Sequence, residues 1–129
     1  MVPLTLIRGV PGSGKSYLAK RLIGDSTDIK HYEADMYFMV DGVYKFDHTK
    51  LKEAHKWCQD QTRQALLDGY SVIVSNTFIK RWEMESYIAI ARDPVINCAW
   101  HIRVCKGEYP NTHNVPYDVI DRMKASWEN

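Results

Sequence analysis

The sequence predicts an α/β domain with three layers around a central, mostly parallel sheet of about four strands. Three observations point there. Strand-like apolar runs alternate with helix-period segments along the chain. A Gly-rich turn, Gly9-Val10-Pro11-Gly12-Ser13-Gly14-Lys15-Ser16, joins the first strand pattern to the first helix pattern. Polar residues collect at the carboxyl ends of the strand patterns, where open parallel sheets bind their ligands.

Leu4 to Arg8 reads as a short buried strand. Lys15 to Ile23 reads as a helix with Leu18, Leu22 and Tyr17 on its core face, and Gly24 is placed to end it. A weaker strand covers Lys30 to Ala34 and leads into "EADMYF". Asp41-Gly42 marks a turn between two extended pieces. Asp47 is placed to cap a long helix from about His48 to Asp68, with an apolar stripe of Leu51, Ala54, Cys58, Ala65 and Leu66 and a stop at Gly69.

"YSVIVSN", Tyr70 to Asn76, has the apolar continuity of a parallel strand buried on both faces. A helix is expected over Arg81 to Arg92, with Met84, Tyr87, Ile88 and Ala91 inward and Pro94 beyond its end. The last strand pattern runs from Val95 to Val104. A loop over about 105–115 follows, then a helix from Pro116 to Trp127 with Ile120, Met123 and Trp127 on one side.

A length of 129 residues suits one domain over 1–129, and 45% hydrophobic residues suffice for a real core. The net charge of +1 argues against a duplex-gripping surface, though a single strand end needs only a local basic groove. The three cysteines have no metal-ligand spacing and read as free thiols of a reducing compartment. No leader pattern and no apolar run of about 18 residues is present, so a cytoplasmic protein without a membrane partner is expected.

The turn fits G-x-x-x-x-G-K-[ST], the P-loop, at every fixed position. Gly9, Gly12 and Gly14 allow successive backbone N–H groups to face one anion, with Pro11, Ser13 and Tyr17 completing the cradle. Lys15 is the cation for the β- and γ-phosphates of ATP, and the Ser16 hydroxyl is the Mg²⁺ ligand. No N-K-x-D or T-K-x-D guanine motif is present, and the strand that would carry an acid in an ATP-hydrolysing motor ends in Ser75 and Asn76. A small kinase needs instead a carboxylate beside the γ-phosphate to take the acceptor's proton. Asp35, at the end of the second strand, is that candidate. Strand alternation is expected to turn Glu33 away or sideways.

"GVPGSGKSYLAK", "YEADMYF", "GYSVIVSNT" and "NVPYDVIDRM", in that order, resemble the kinase domain of phage and bacterial 5′-polynucleotide kinases. They are more similar still to small stand-alone P-loop proteins of the Nedd4-binding-protein-2-like type. The resemblance implies that Lys15 and Ser16 hold ATP and Mg²⁺ and that Asp35 is the general base acting on a 5′-hydroxyl. It places Asn76 and Thr77 on the acceptor side, a lid over the phosphates between Val104 and Pro116, and the last helix beside the adenine.

The sequence departs from that pattern in three places. Ala34 and Phe38 stand where the family has basic residues, and Asn76 stands where it has an acid. The lid has no arginine and offers Lys106 and His113, with Arg103 just before it and Asn111 as a further polar member. The expected function is therefore ATP-dependent phosphorylation of a single-stranded nucleic acid end or a nucleotide-like acceptor. A kinase of a small metabolite (a sugar or nucleoside) and a nucleotide-binding regulator with little catalysis are the alternatives.

Tyr32, Tyr37, Phe38, Tyr44 and Phe46 are expected to cover the sheet edge and core, or in one or two cases to stack on an acceptor base. Lys45, Lys50, Lys52 and Lys56 read as a solvated helix face. His31, His48, His55 and His101 have no metal spacing and read as structural, and Trp57, Trp82 and Trp100 as packing residues.

Overall fold

In the computed structural model, which describes residues 3–109 and 115–129, four parallel strands form the central sheet. In chain order the strands are β1 (Leu4–Arg8), β2 (Ile29–Tyr32), β3 (Met39–Val40), β4 (Val43–Tyr44), β5 (Ser71–Asn76) and β6 (Trp100–Val104). The helices are α1 (Lys15–Ile23), α2 (Leu51–Leu67), α3 (Trp82–Arg92) and α4 (Tyr117–Ala125). The sheet order is β2-β5-β1-β6, while β3 and β4 make a separate hairpin through Asp41 and Gly42, both at positive φ.

Alternation along the central strands builds the layers. Leu4, Leu6, Val72 and Val74 face α2 and α3, where Ala54, Cys58, Met84 and Tyr87 complete the larger core. Ile7 and Ile73 face the other way, toward Ala19 of α1. The three-layer expectation therefore holds, with all four sheet strands parallel. Among the described residues no helix is long and apolar enough to cross a membrane.

Several boundaries differ from the sequence reading, each for a local reason. β2 stops at Tyr32 because the Ala34 N–H leaves the ladder and donates to the Asn76 side-chain oxygen at 2.9 Å. Residues Ala34–Phe38 then wind into a short 3₁₀ turn. β6 begins only at Trp100, since Asp93 gathers the chain into a turn. Its carboxylate accepts from Val95 N–H, and its carbonyl accepts from Ile96 and Asn97 N–H. Asp47 caps a 3₁₀ turn, His48–Lys50, that leads into α2.

On α1 the core face is Ala19 with Leu18 and Ile23, whereas Tyr17 and Leu22 are exposed. Leu51 and Trp82 are exposed as well, so Trp82 is no packing residue; on α3 Ile90 is buried and Ile88 packs half-buried against the same core. The three cysteines are free.

Candidate nucleotide and phosphoryl-transfer site

The loop between β1 and α1 is held on both sides by extensions of the sheet ladder. Gly9 N–H donates to the Thr77 carbonyl and Cys105 N–H to the Arg8 carbonyl. Residues after β6 close over it: Gly107 N–H donates to the Ser13 carbonyl and Tyr109 N–H to the Gly12 carbonyl. Gly12 sits at φ 82° with the Tyr109 carbonyl so near that a Cβ would lie 2.8 Å from its oxygen. Glycine is required there both by dihedral and by space.

Lys15 Nζ donates to the Val10 carbonyl at 3.1 Å, so the cation lies over the loop. Burial lowers its pKa, and Glu33, Cys105 and Asp35 pull it back up. The Ser13 hydroxyl is buried and meets no hydrogen-bond partner among the described residues. An unpartnered donor, the open N–H groups of a helix start and a lysine in one cradle fit an anionic phosphate chain.

Glu33 is the residue that sequence periodicity misplaced. The early end of β2 turns its carboxylate into the site instead of away from it. Its Oε1 accepts from Ser16 Oγ at 2.6 Å and from Ser75 Oγ at 2.8 Å, and lies 3.4 Å from His31 Nε2. His31 Nε2 is also 2.6 Å from Ser75 Oγ. Since Ser75 gives its proton to Glu33, it accepts from the Nε2–H tautomer of His31. His31 is thus structural in a specific sense: it fixes a serine that fixes a carboxylate.

Burial alone would raise the Glu33 carboxyl, but hydrogen bonds from His31, Ser16 and Ser75 hold it at about 2 against an ordinary 4.5. The sign follows directly. The stabilisation is complete above about pH 4.5 and is lost as pH falls through about 2; each pKa unit is worth about 1.4 kcal/mol. Denaturant titrations of wild type and Glu33→Gln should therefore diverge by about 3 kcal/mol near neutrality and converge in acid. A pH-independent difference between the two would show that the carboxylate charge is not what these bonds stabilise.

Asp35 lies in the 3₁₀ turn, where Tyr44 Oη donates to its Oδ1 at 3.2 Å. Burial pushes the Tyr44 hydroxyl up to about 12, with the Asp35 charge and hydrogen bond adding to it. Lys15 and Ser16 at the start of α1 are thereby brought to Glu33 and Asp35 after the end of β2. Asn76 stands at the end of β5, but its amide is turned inward: Oδ1 accepts from Ala34 N–H, and Nδ2 contacts Cys58 Sγ at 3.9 Å. It holds the turn that carries Asp35.

Thr77 is half-buried beside Gly9. Tyr17 is exposed, with its ring centroid 6.5 Å from that of Tyr109. Lys106 lines a cavity of about 300 Å³ with Val10, Cys105, Gly107, Lys124 and Trp127. Arg103 instead lines a groove with Thr5, Leu22, Ile29 and His101 on the α1 side of the sheet. Asn111 and His113 lie outside the described residues, as does the centre of the expected lid.

Among the aromatics, Phe38 is buried in the core, and Tyr32 and Tyr37 contact Trp57. Phe46 is exposed and stacks on Tyr44.

Arg8 was legible only as the last residue of a buried strand. It is 4% exposed and donates through Nε and Nη2 to the carbonyls of Phe78, Ile79 and Glu128, with its guanidinium 4.0 Å from the Trp127 ring centroid. The polar residue closing an apolar strand was the only signal for it.

No cluster of three or more His, Cys, Asp or Glu side chains suited to a metal occurs among the described residues. The donor set at the loop is hard oxygen, from the Ser16 hydroxyl and nearby carboxylates. Mg²⁺ is commonly held by one or two protein groups plus substrate phosphates, and this set fits that pattern.

The parallel sheet order and the phosphate loop after β1 give a P-loop α/β fold. The same fold recurs in the structure of a Pnkp1/Rnl/Hen1 complex, with TM-score 0.65 and 17% identity over 92% of this chain and 38% of that one. It recurs in a gluconokinase from Sinorhizobium meliloti 1021, with TM-score 0.58 and 15% identity over 97% of this chain and 74% of that one.

The chain belongs to the family described as AAA domain, which matches residues 4–129. It is 35% identical over 135 residues to NEDD4-binding protein 2 of Homo sapiens, a match that takes in 97% of this chain and 8% of that protein.

Proposed function

We propose that this chain transfers the γ-phosphoryl group of ATP to a hydroxyl of a nucleic acid 5′ end or a nucleotide-like acceptor. The observation that carries the reading is Asp35. The end of β2 brings this carboxylate into the neighbourhood of Lys15, and Tyr44 holds one of its oxygens in place.

In the transfer, the acceptor oxygen attacks the γ-phosphorus and its proton passes to Asp35. The bond from the γ-phosphorus to the β–γ bridging oxygen breaks, and ADP leaves. Lys15 and the loop N–H groups hold the phosphates. Ser16 would be the protein ligand of Mg²⁺, which neutralises phosphate charge when bound. The cavity between Val10 and Trp127 is placed for the nucleoside, in keeping with the last helix lying beside the base.

One observation favours a neutral small-molecule acceptor instead. Ala34 and Phe38, at 6% and 3% exposure, are core residues, so neither position offers a cation to an acceptor phosphate. Purified protein given γ-labelled ATP and Mg²⁺, with 5′-hydroxyl DNA and RNA oligonucleotides, nucleosides and sugars in parallel, separates the readings. Label on oligonucleotide ends is expected. Label on sugars or nucleosides alone moves the acceptor to a small metabolite, and ATP binding without transfer to any of them removes the kinase reading in favour of a nucleotide-binding regulator.

A further inference from the structure

We propose that Glu33 is the positioning carboxylate of the Mg²⁺ site, a role for which the end of β5 has no acid. The inference rests on the nucleotide reading of the loop, and its chemistry begins with the serine. A hydroxyl has one proton and two lone pairs, and it offers oxygen to a cation best when the proton is directed elsewhere. Ser16 directs its proton to Glu33 Oε1 at 2.6 Å.

The end of β5 has no charge for that task. Asn76 is neutral and its amide is engaged by Ala34 and Cys58. Ser75, the neighbouring β5 residue, serves β2's acid instead by donating to the same Oε1. His31 approaches that oxygen too, so the three donors converge on Oε1 and Oε2 takes none of them. The carboxylate is thus anchored through one oxygen, beside the hydroxyl that would face the metal. Because β2 and β5 are adjacent in the sheet and parallel, an acid at the end of β2 lies beside the end of β5.

The test is the ratio of ATP dissociation constants in EDTA and in Mg²⁺, measured by calorimetry on the full chain. Loss of a group that orients a metal ligand costs about 10–100-fold in metal affinity. Glu33→Gln is therefore expected to shrink the ratio about tenfold or more, with a melting curve that confirms folding; any effect through Lys15 acts in both buffers and cancels in the ratio. Glu33→Gln added to Ser16→Ala is expected to shrink the ratio no further, since the effect runs through Ser16.

A folded Glu33→Gln protein with the wild-type ratio overturns the proposal, as does full additivity with Ser16→Ala. Should Glu33→Gln not fold, Glu33→Asp is read by the same ratio. It keeps the charge but withdraws it by one methylene, and an unchanged ratio again overturns the assignment. Wild-type protein that binds no ATP in either buffer fails the nucleotide reading as a whole. An intact wild-type ratio that Glu33 does not affect fails only this proposal.

Discussion

Asp35→Asn is expected to lower the rate of phosphoryl transfer by about 10²–10⁴-fold, the usual contribution of a positioned general base. ATP affinity should stay within a few-fold of wild type. The two outcomes separate because of where the residue lies. Asparagine keeps the Oδ1 acceptor that Tyr44 uses, so that tie between the 3₁₀ turn and the β3–β4 hairpin survives. Glu33 and Cys105 weigh more heavily than Asp35 in the electrostatics of Lys15, so the cation of the phosphate loop is little disturbed.

What asparagine lacks is a basic oxygen for the acceptor's proton. Single-turnover transfer of labelled phosphate, with ATP binding measured on the same preparations, reads both quantities. Transfer at the wild-type rate would remove Asp35 from the chemistry. Loss of ATP binding together with transfer would make it part of the nucleotide site rather than the base.

Arg8→Met should produce a large loss of stability, about 3 kcal/mol or more, through a different mechanism. The side chain is 4% exposed and serves the carbonyls of Phe78, Ile79 and Glu128 at once. Bonds from a charged donor are worth about 1.5–3 kcal/mol each, and a buried acceptor left unmet costs about 1–3 kcal/mol, although such contributions do not simply add. Methionine conserves the packing against Trp127 but supplies no donor.

For a chain of 129 residues this corresponds to a fall in melting temperature of about 10 °C or more. Arg8→Lys should recover only part of it, because one ammonium does not reproduce the planar fork. Calorimetric melting of the three proteins checks the order. Equal loss in both variants would mean that packing on Trp127, not donation to the carbonyls, carries the stability. Because the contacts tie the end of β1 to the C-terminal residues, nucleotide affinity is expected to weaken as the loop after β1 loosens.

Asp35 was legible as a candidate base for a plain reason: the carboxyl end of a parallel strand is where a site forms, and Asp35 is a carboxylate there. The phosphate loop was legible because its residue types and spacing are local requirements of backbone geometry. Glu33 was not. Period-two alternation sends it away from the loop only while β2 continues, and β2 ends one residue earlier. The cause is Asn76, 42 positions from Ala34, whose side chain captures the Ala34 N–H. A strand end decided by a side chain on another strand leaves no trace in the local pattern.

His31 and Ser75 follow the same rule. Each reads as unremarkable alone, and they acquire a role only because β2 and β5 are neighbours and place both at one carboxylate. Trp127 was expected on one side of the last helix, but α4 ends at Ala125, and the Trp127 ring instead lies 4.0 Å from the Arg8 guanidinium.

By itself, then, the sequence determined the alternation of strands and helices, the phosphate cradle and the carboxylate at the end of β2, since these depend on residues within a few positions of one another. The tertiary structure decided which acid meets Ser16, which arginine ties the chain's two ends together, and where β2 and β6 start and stop. Those outcomes are set by hydrogen bonds between segments tens of residues apart, and only the folded sheet brings such segments within 3 Å of each other.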